Sequence, residues 1–137
     1  VVFSFWRVSP ENMAKIYTLK ENHIFLRAYA KGKSSVQKTV IVYAFPASRL
    51  KQREKTPRTI TSMGITAGKK IGGAVSRNRA KRLIREAYRS VTAREKFLAP
   101  QIIVIVARGR ITAPDVKCAA VADDISKAFA VLRITEK

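Results

Sequence analysis

The side chains able to do covalent chemistry in this chain are few, and they stand apart. Nine acids are scattered along it, at Glu11, Glu21, Glu54, Glu86, Glu95, Asp115, Asp123, Asp124 and Glu136. Hydrolysis by a protein needs carboxylates that converge on a metal, or a base held beside a nucleophile. Only Asp123 and Asp124 are neighbours, and successive residues on a helix point about 100° apart, so the pair reads as the solvated side of a helix. His23, the single histidine, reads as a surface or boundary residue. Cys118 is the single cysteine, which excludes an intrachain disulfide and fits a reducing compartment. It falls in a helical stretch with no base nearby, as a small packing residue does. Gly64 and Gly68-Lys69-Lys70 imitate a phosphate-binding loop and fail it twice. The glycines are one residue too close, and Lys70 stands where Ser or Thr holds the metal. The residues therefore point to no catalytic or metal-ligating set in the protein itself.

The chemistry lies instead in fixed cations. The stretch KKIGGAVSRNRAKRLIREAYR, Lys69 to Arg89, holds eight lysines and arginines against one acid, Glu86. At helical spacing Ala80, Leu83, Ile84, Ala87, Tyr88 and Val91 gather on one side. Asn78, Lys81, Arg82, Arg85 and Arg89 gather on the other, with Arg79 at the margin. A solvated charged face is the ordinary fate of such a run, but surface helices usually mix signs so that neighbours a turn apart attract. One glutamate cannot balance this row. Like-charge pairs cost only a few tenths of a kcal/mol each, so the arrangement is tolerated without a ligand and stabilised only by an anion. Arginine dominates the row, and its guanidinium fork matches phosphate oxygens two at a time and stacks on bases. Asn78, between Arg77 and Arg79, admits two readings: a contact to a base edge or 2′-hydroxyl, or a helix cap, a role that Ser76 or Gly73 also suits.

Composition extends the same argument. A net charge of +19, from 28 Lys and Arg against 9 Asp and Glu, opposes compaction unless a polyanion neutralises it in use. With 47% hydrophobic residues in 137, the chain can still bury one modest core, so a folded domain is expected rather than a basic tail. No apolar run reaches the ~18 residues of a membrane span. Binding of the basic helix to a membrane surface ranks last, because its apolar side is needed by the core.

Those residues need a scaffold to position them. Asn22 caps a short helix over about residues 23–31 that stops at Gly32. Residues 35–45 read as one strand, apolar on both faces, covered on both sides or facing a ligand on one. The stretch 46–58 is a polar loop, 59–66 a weaker strand, and Ala67 to Gly73 a tight connection with room for a short strand. A helix from about 74 to 95 carries the cations, and 101–107 is a buried strand. A last helix follows, with Thr112 and Asp115 as a capping box and Pro114 in its first turn. This order predicts an α+β fold, a two-layer α-β sandwich of one small sheet with helices packed on it. Residues 1–17 read as an N-terminal extension and 18–137 as one domain.

The stretch from Lys69 closely resembles the signature of the bacterial ribonuclease P protein subunit, Lys-Lys-x-Gly-x-Ala-Val-x-Arg-Asn-Arg-x-Lys-Arg-x-x-Arg. Its fixed positions are met by Lys69, Lys70, Gly72, Ala74, Val75, Arg77, Asn78, Arg79, Lys81, Arg82 and Arg85. The likeness extends upstream through LKENHIFLRAYAKGK and downstream through IIVIVARG to the last helix, about residues 19–132. Ser62 and Gly73 depart from it, where a basic residue and Asn are frequent.

The resemblance implies a fold like the second domain of ribosomal protein S5, with a left-handed βαβ crossover. It implies an RNA-binding subunit of an endoribonuclease that removes the 5′ leader of precursor tRNA, with catalysis and Mg²⁺ in the RNA and no cofactor on the protein. Partners would be the catalytic RNA and precursor tRNA, with no membrane and no small-molecule substrate, in the cytoplasm. Lys69, Lys70, Arg77, Asn78, Arg79, Lys81, Arg82, Arg85 and Arg89 would lie against the catalytic RNA. Phe25, Tyr29 and Tyr43 match the aromatics of a leader cleft between the first helix and the sheet. On spacing alone Phe25 and Tyr29 share a helical face, where core packing is the commoner use of two rings. An S5-like ribosomal or RNA-chaperone module without a processing role has the same charge and helix pattern. Arg79→Ala and Arg85→Ala are each expected to weaken RNA binding and to shallow its salt dependence by about one unit of slope for each phosphate left unneutralised. Titrations at several salt concentrations measure it, and an unchanged slope means that the side chain does not face phosphate.

Overall fold

The computed structural model describes residues 19, 22–50 and 61–136. The expected extension over 1–17, most of the loop 46–58 and the first residues of the 59–66 strand lie outside the described residues. Helix α1 spans Asn22–Lys31, strand β1 Lys33–Val36, β2 Val40–Pro46, β3 Ser62–Thr66, helix α2 Ala74–Arg94, β4 Lys96–Phe97, β5 Gln101–Ala107, helix α3 Cys118–Leu132 and β6 Thr135–Glu136. Four strands form one sheet in the order β1-β2-β5-β3. β2 runs antiparallel to both β1 and β5, whereas β3 and β5 are parallel and joined through α2, making a βαβ unit.

Alternation along β5 organises both layers. Ile103, Ile105 and Ala107 face α2 and α3, and join Val40, Val42, Ala44, Met63, Ile84, Ala87, Val91, Ile125 and Phe129 in the larger core. Ile102 and Val104 face the other way and pack with Ile24, Ala28, Phe45, Ala47, Leu50 and Leu19 in a smaller core beneath α1. The continuous apolar run of β5 is thus a strand buried on both faces. Phe97, Tyr88 and Phe129 close the larger core at one end, with ring centroids 5.4 to 6.5 Å apart. Burial pushes the Tyr88 phenol well above its ordinary pKa.

Three expectations are corrected. Residues 35–45 are not one strand: the chain reverses at Lys38 and Thr39, with Val36 opposite Ile41 and the Gln37 N–H bonded to the Val40 carbonyl at 2.8 Å. The turn lacks the Asn-Gly signal of a hairpin, and Arg133 is the only described non-glycine residue at positive φ. Long-range bonds hold it instead. Asp124 Oδ2 accepts the Thr39 N–H at 3.1 Å and the Thr39 hydroxyl at 2.5 Å. Asp124 is therefore buried rather than solvated, while Asp123 is exposed. Nor do Thr112 and Asp115 cap the last helix, which starts at Cys118 after Lys117; Thr112 closes a 3-10 turn, Gly109–Thr112, on the Gly109 carbonyl.

Gly32 ends α1 as expected, with its N–H on the Ala28 carbonyl at 2.9 Å. A Cβ there would lie 2.5 Å from that carbonyl oxygen and 3.1 Å from the Ala44 oxygen, both backbone atoms that cannot swing away. Gly32→Ala is expected to lower stability by about 1–3 kcal/mol, measured as a lower urea midpoint at unchanged slope.

Candidate nucleic-acid interface

The cationic helix starts without help from a side chain. Gly73 is its N-cap, and no side-chain hydrogen bond caps it. Asn78 lies five residues further on, exposed, so the capping reading of Asn78 is removed. A 3-10 turn, Lys69–Ile71, leads in; Ile71 is buried as its anchor and Lys69 and Lys70 project into solvent. Ala80, Ile84, Ala87, Tyr88 and Val91 are buried and Leu83 packs beside them. The helical period then turns Asn78, Arg79, Arg82, Arg85 and Arg89 outward, all exposed, with Arg77 and Lys81 half-buried at the borders. Arg77 Nε is buried and has no hydrogen-bond acceptor among the described residues.

Nothing in the described fold quenches this row. Among the described residues no carboxylate pairs with Arg79, Lys81, Arg82, Arg85 or Arg89. Two acids are turned inward instead. Glu95 is buried and accepts the Ser126 hydroxyl at 2.5 Å and the Thr135 hydroxyl at 2.9 Å; Asp124 is committed to Thr39. Glu86 stays exposed, and with burial it raises the pKa of the half-buried Cys118 thiol, burial having the larger effect. A raised thiol is a poor nucleophile, in keeping with a packing role. Among the described residues no three of His, Cys, Asp and Glu come together to hold an ion.

The aromatic residues form a second feature on the opposite face of the sheet. Rows across the strands follow from the register: Ser34, Tyr43, Val104 and Gly64 form one, and Val36, Ile41, Val106 and Thr66 the next. α1 lies over the first row at the β3 side. Phe25 fills the space above Gly64, where a Cβ would come within 2.4 Å of its ring. One turn on, Tyr29 meets Tyr43 edge to face, centroids 5.1 Å apart and planes at 74°. The Tyr29 hydroxyl bonds Thr66 Oγ1 at 2.9 Å, tying α1 to β3. Beyond α1 the second row is only partly covered, and Val36 is 61% exposed. The structure thus gathers Phe25, Tyr29 and Tyr43 along one groove, with Phe25 and Tyr43 packed against the small core and Tyr29 exposed. It does not bring them onto the side that carries the α2 row.

A third feature escaped sequence reasoning. Lys38 from the β1–β2 turn and Arg108, Gly109 and Arg110 after β5 line an open pocket of about 380 Å³ at the end of the sheet. The Arg108 guanidinium donates to the Gln37 carbonyl at 2.7 Å, and its backbone N–H to the Thr39 carbonyl at 2.9 Å. The 3-10 turns that carry Lys69–Lys70 and Arg110 pack against one another, so this pocket lies at the same end of the sheet as the turn that leads into α2. Two arginines flanking a glycine directly after a buried strand were the available signal; the partner lysine required the hairpin.

These features define a class: a basic α-β sandwich with an uncompensated cationic helix on one face and an aromatic groove on the other. The Ribonuclease P family profile matches residues 13–133, and the chain belongs to that family. The ribonuclease P protein component of Symbiobacterium thermophilum is 41% identical over 96 residues, 70% of this chain and 75% of that one. Among solved structures, the RNase P protein of Staphylococcus aureus aligns with a TM-score of 0.67 at 25% identity, covering 88% of this chain and 98% of its own. The RNase P protein of Thermotoga maritima shares the fold at a TM-score of 0.60 and 23% identity, covering 80% of this chain and 92% of its own.

Tyr29→Phe keeps the ring contact and removes the bond to Thr66. It is expected to cost about 0.5–1.5 kcal/mol in urea unfolding, and Tyr29→Ala more, because the ring contact with Tyr43 goes too.

Proposed function

We propose that this chain is the protein subunit of a ribonucleoprotein ribonuclease P, and that it binds the catalytic RNA and the 5′ leader of precursor tRNA in the cytoplasm. The observation that carries the reading is the outward row Asn78, Arg79, Arg82, Arg85 and Arg89 on α2, bordered by Arg77 and Lys81, with which no carboxylate among the described residues pairs. Together with Lys69 and Lys70 it presents guanidinium and ammonium groups along a rigid rod, the form suited to consecutive phosphates of a folded RNA. Asn78, no longer a cap, is free to read a 2′-hydroxyl or base edge within that row.

The groove takes the leader. Tyr29 and Tyr43 offer ring surface to unpaired bases, worth about 1–3 kcal/mol per stacked base without regard to sequence. Lys38, Arg108 and Arg110 at its end supply charge for the backbone of the same strand. Hydrolysis of the phosphodiester, with Mg²⁺, belongs to the RNA in this reading. The protein needs no cofactor of its own. It lowers the repulsion between two RNA molecules and holds the leader. No described helix is long and apolar enough to cross a membrane.

Reconstitution tests the reading. The full chain added to its cognate catalytic RNA is expected to raise precursor-tRNA cleavage at low Mg²⁺. No increase over RNA alone favours an S5-like binding module without a processing role. Tyr43→Ala is expected to weaken binding of precursor tRNA about tenfold while leaving mature tRNA nearly unchanged; equal losses for the two remove the leader from the groove.

A further inference from the structure

The β1–β2 hairpin is built in an unusual way. A two-residue hairpin loop normally uses Asn-Gly or a similar pair, which adopts the required turn without outside help. Here the loop residues are Lys38 and Thr39, and neither has positive φ. Their turn is held from behind by a carboxylate on α3. Asp124 Oδ2 takes both the N–H and the hydroxyl of Thr39, and Asp124 and Thr39 are 7% and 3% exposed. The neighbouring Gln37 is held too, its side-chain amide donating to Ser35 Oγ at 2.9 Å. Burying a carboxylate is a costly way to close a turn. What it permits is a turn without glycine, with Lys38 at its tip.

The same turn orients an arginine. Arg108 is exposed, yet its guanidinium is directed by the Gln37 carbonyl and its backbone N–H is fixed by the Thr39 carbonyl. Arg108 and Lys38 thereby face one pocket with Arg110. An unheld arginine samples many rotamers and loses that freedom when it binds; a held one does not.

We propose that Asp124 is a positioning residue: through Thr39 it sets the Lys38–Thr39 turn so that Arg108, beside Lys38, is pre-arranged to grip the phosphate backbone of the single-stranded RNA in the groove. This rests on the function proposed above. Asp124 touches no RNA itself. It acts through one buried hydroxyl and one backbone N–H, and its effect reaches RNA by way of Arg108.

A variant cycle tests it in the full chain reconstituted with cognate catalytic RNA, with precursor-tRNA affinity read at several salt concentrations. Asp124→Asn and Thr39→Val are each expected to weaken affinity about tenfold and to shallow the salt slope by about one. Thr39→Ser, which keeps the hydroxyl, restores both. Arg108→Ala gives a similar loss, and adding Asp124→Asn to it produces no further loss. Losses that multiply in the double variant overturn the proposal, since Asp124 then acts independently of Arg108. So does a lowered thermal midpoint in Asp124→Asn with affinity and slope unchanged, or an Arg108→Ala protein that binds as the parent does. Stimulation of cleavage by the parent protein in the same preparations reports separately on the proposed function, so its failure is not confused with failure of the positioning role.

Discussion

Burial of one stripe of α2 against the sheet is the interaction on which the rest depends. Ala80, Ile84, Ala87, Tyr88 and Val91 can reach β5 and α3 only in one rotation of the helix. Each large apolar side chain buried there contributes about 1.5–3 kcal/mol. Repulsion among the outward cations opposes it by a few tenths of a kcal/mol per pair. Hydrophobic burial therefore decides the rotation, and the charge follows as a consequence. The face the arginines occupy is set by the core beneath them rather than by any bond of their own, so that face is as fixed as the packing while the side chains sample rotamers.

The second consequence is a separation of duties by faces. Odd positions of β5 serve α2 and α3, and even positions serve α1. A small sheet used in this way has two cores and two outer surfaces. One carries the rod of cations, the other the rings. At the end of the sheet Lys38, Arg108 and Arg110 line one pocket, and the turn that carries Arg110 packs against the turn of Lys69 and Lys70.

Much of this was legible in the residues. The limits of α2 and β5 follow from apolar period alone, because both are long and strongly patterned. The row of arginines follows from the same period. What could not be read was held by tertiary contacts. Residues 35–45 look like one strand because nothing local marks Lys38 and Thr39 as a turn; the mark is Asp124, 85 residues away from Thr39. Asp124 in turn looks like a surface acid until that hairpin is placed above it. The β4–β6 pairing, two residues on each side, is too short for any pattern to show. Thr112 and Asp115 have the spacing of a capping box, but Ile111 and Val116 are buried in the core and draw the segment into a 3-10 turn first. Tyr29 and Tyr43 are joined by topology: the helix and the strand that carry them belong to different layers until α1 docks.

The carboxylate that holds the hairpin also sets an order of events. During synthesis the segment from Lys33 to Pro46 emerges long before α3 exists, and a lone two-stranded ribbon is only marginally stable in water. With no glycine at its tip, this ribbon has no local turn to fix it: pairing with β5 holds β2, and the Thr39 tip is held only when Asp124 on α3 docks. Closure of that contact thus spans the 85 residues between Thr39 and Asp124. Chain closure over so long a separation slows assembly.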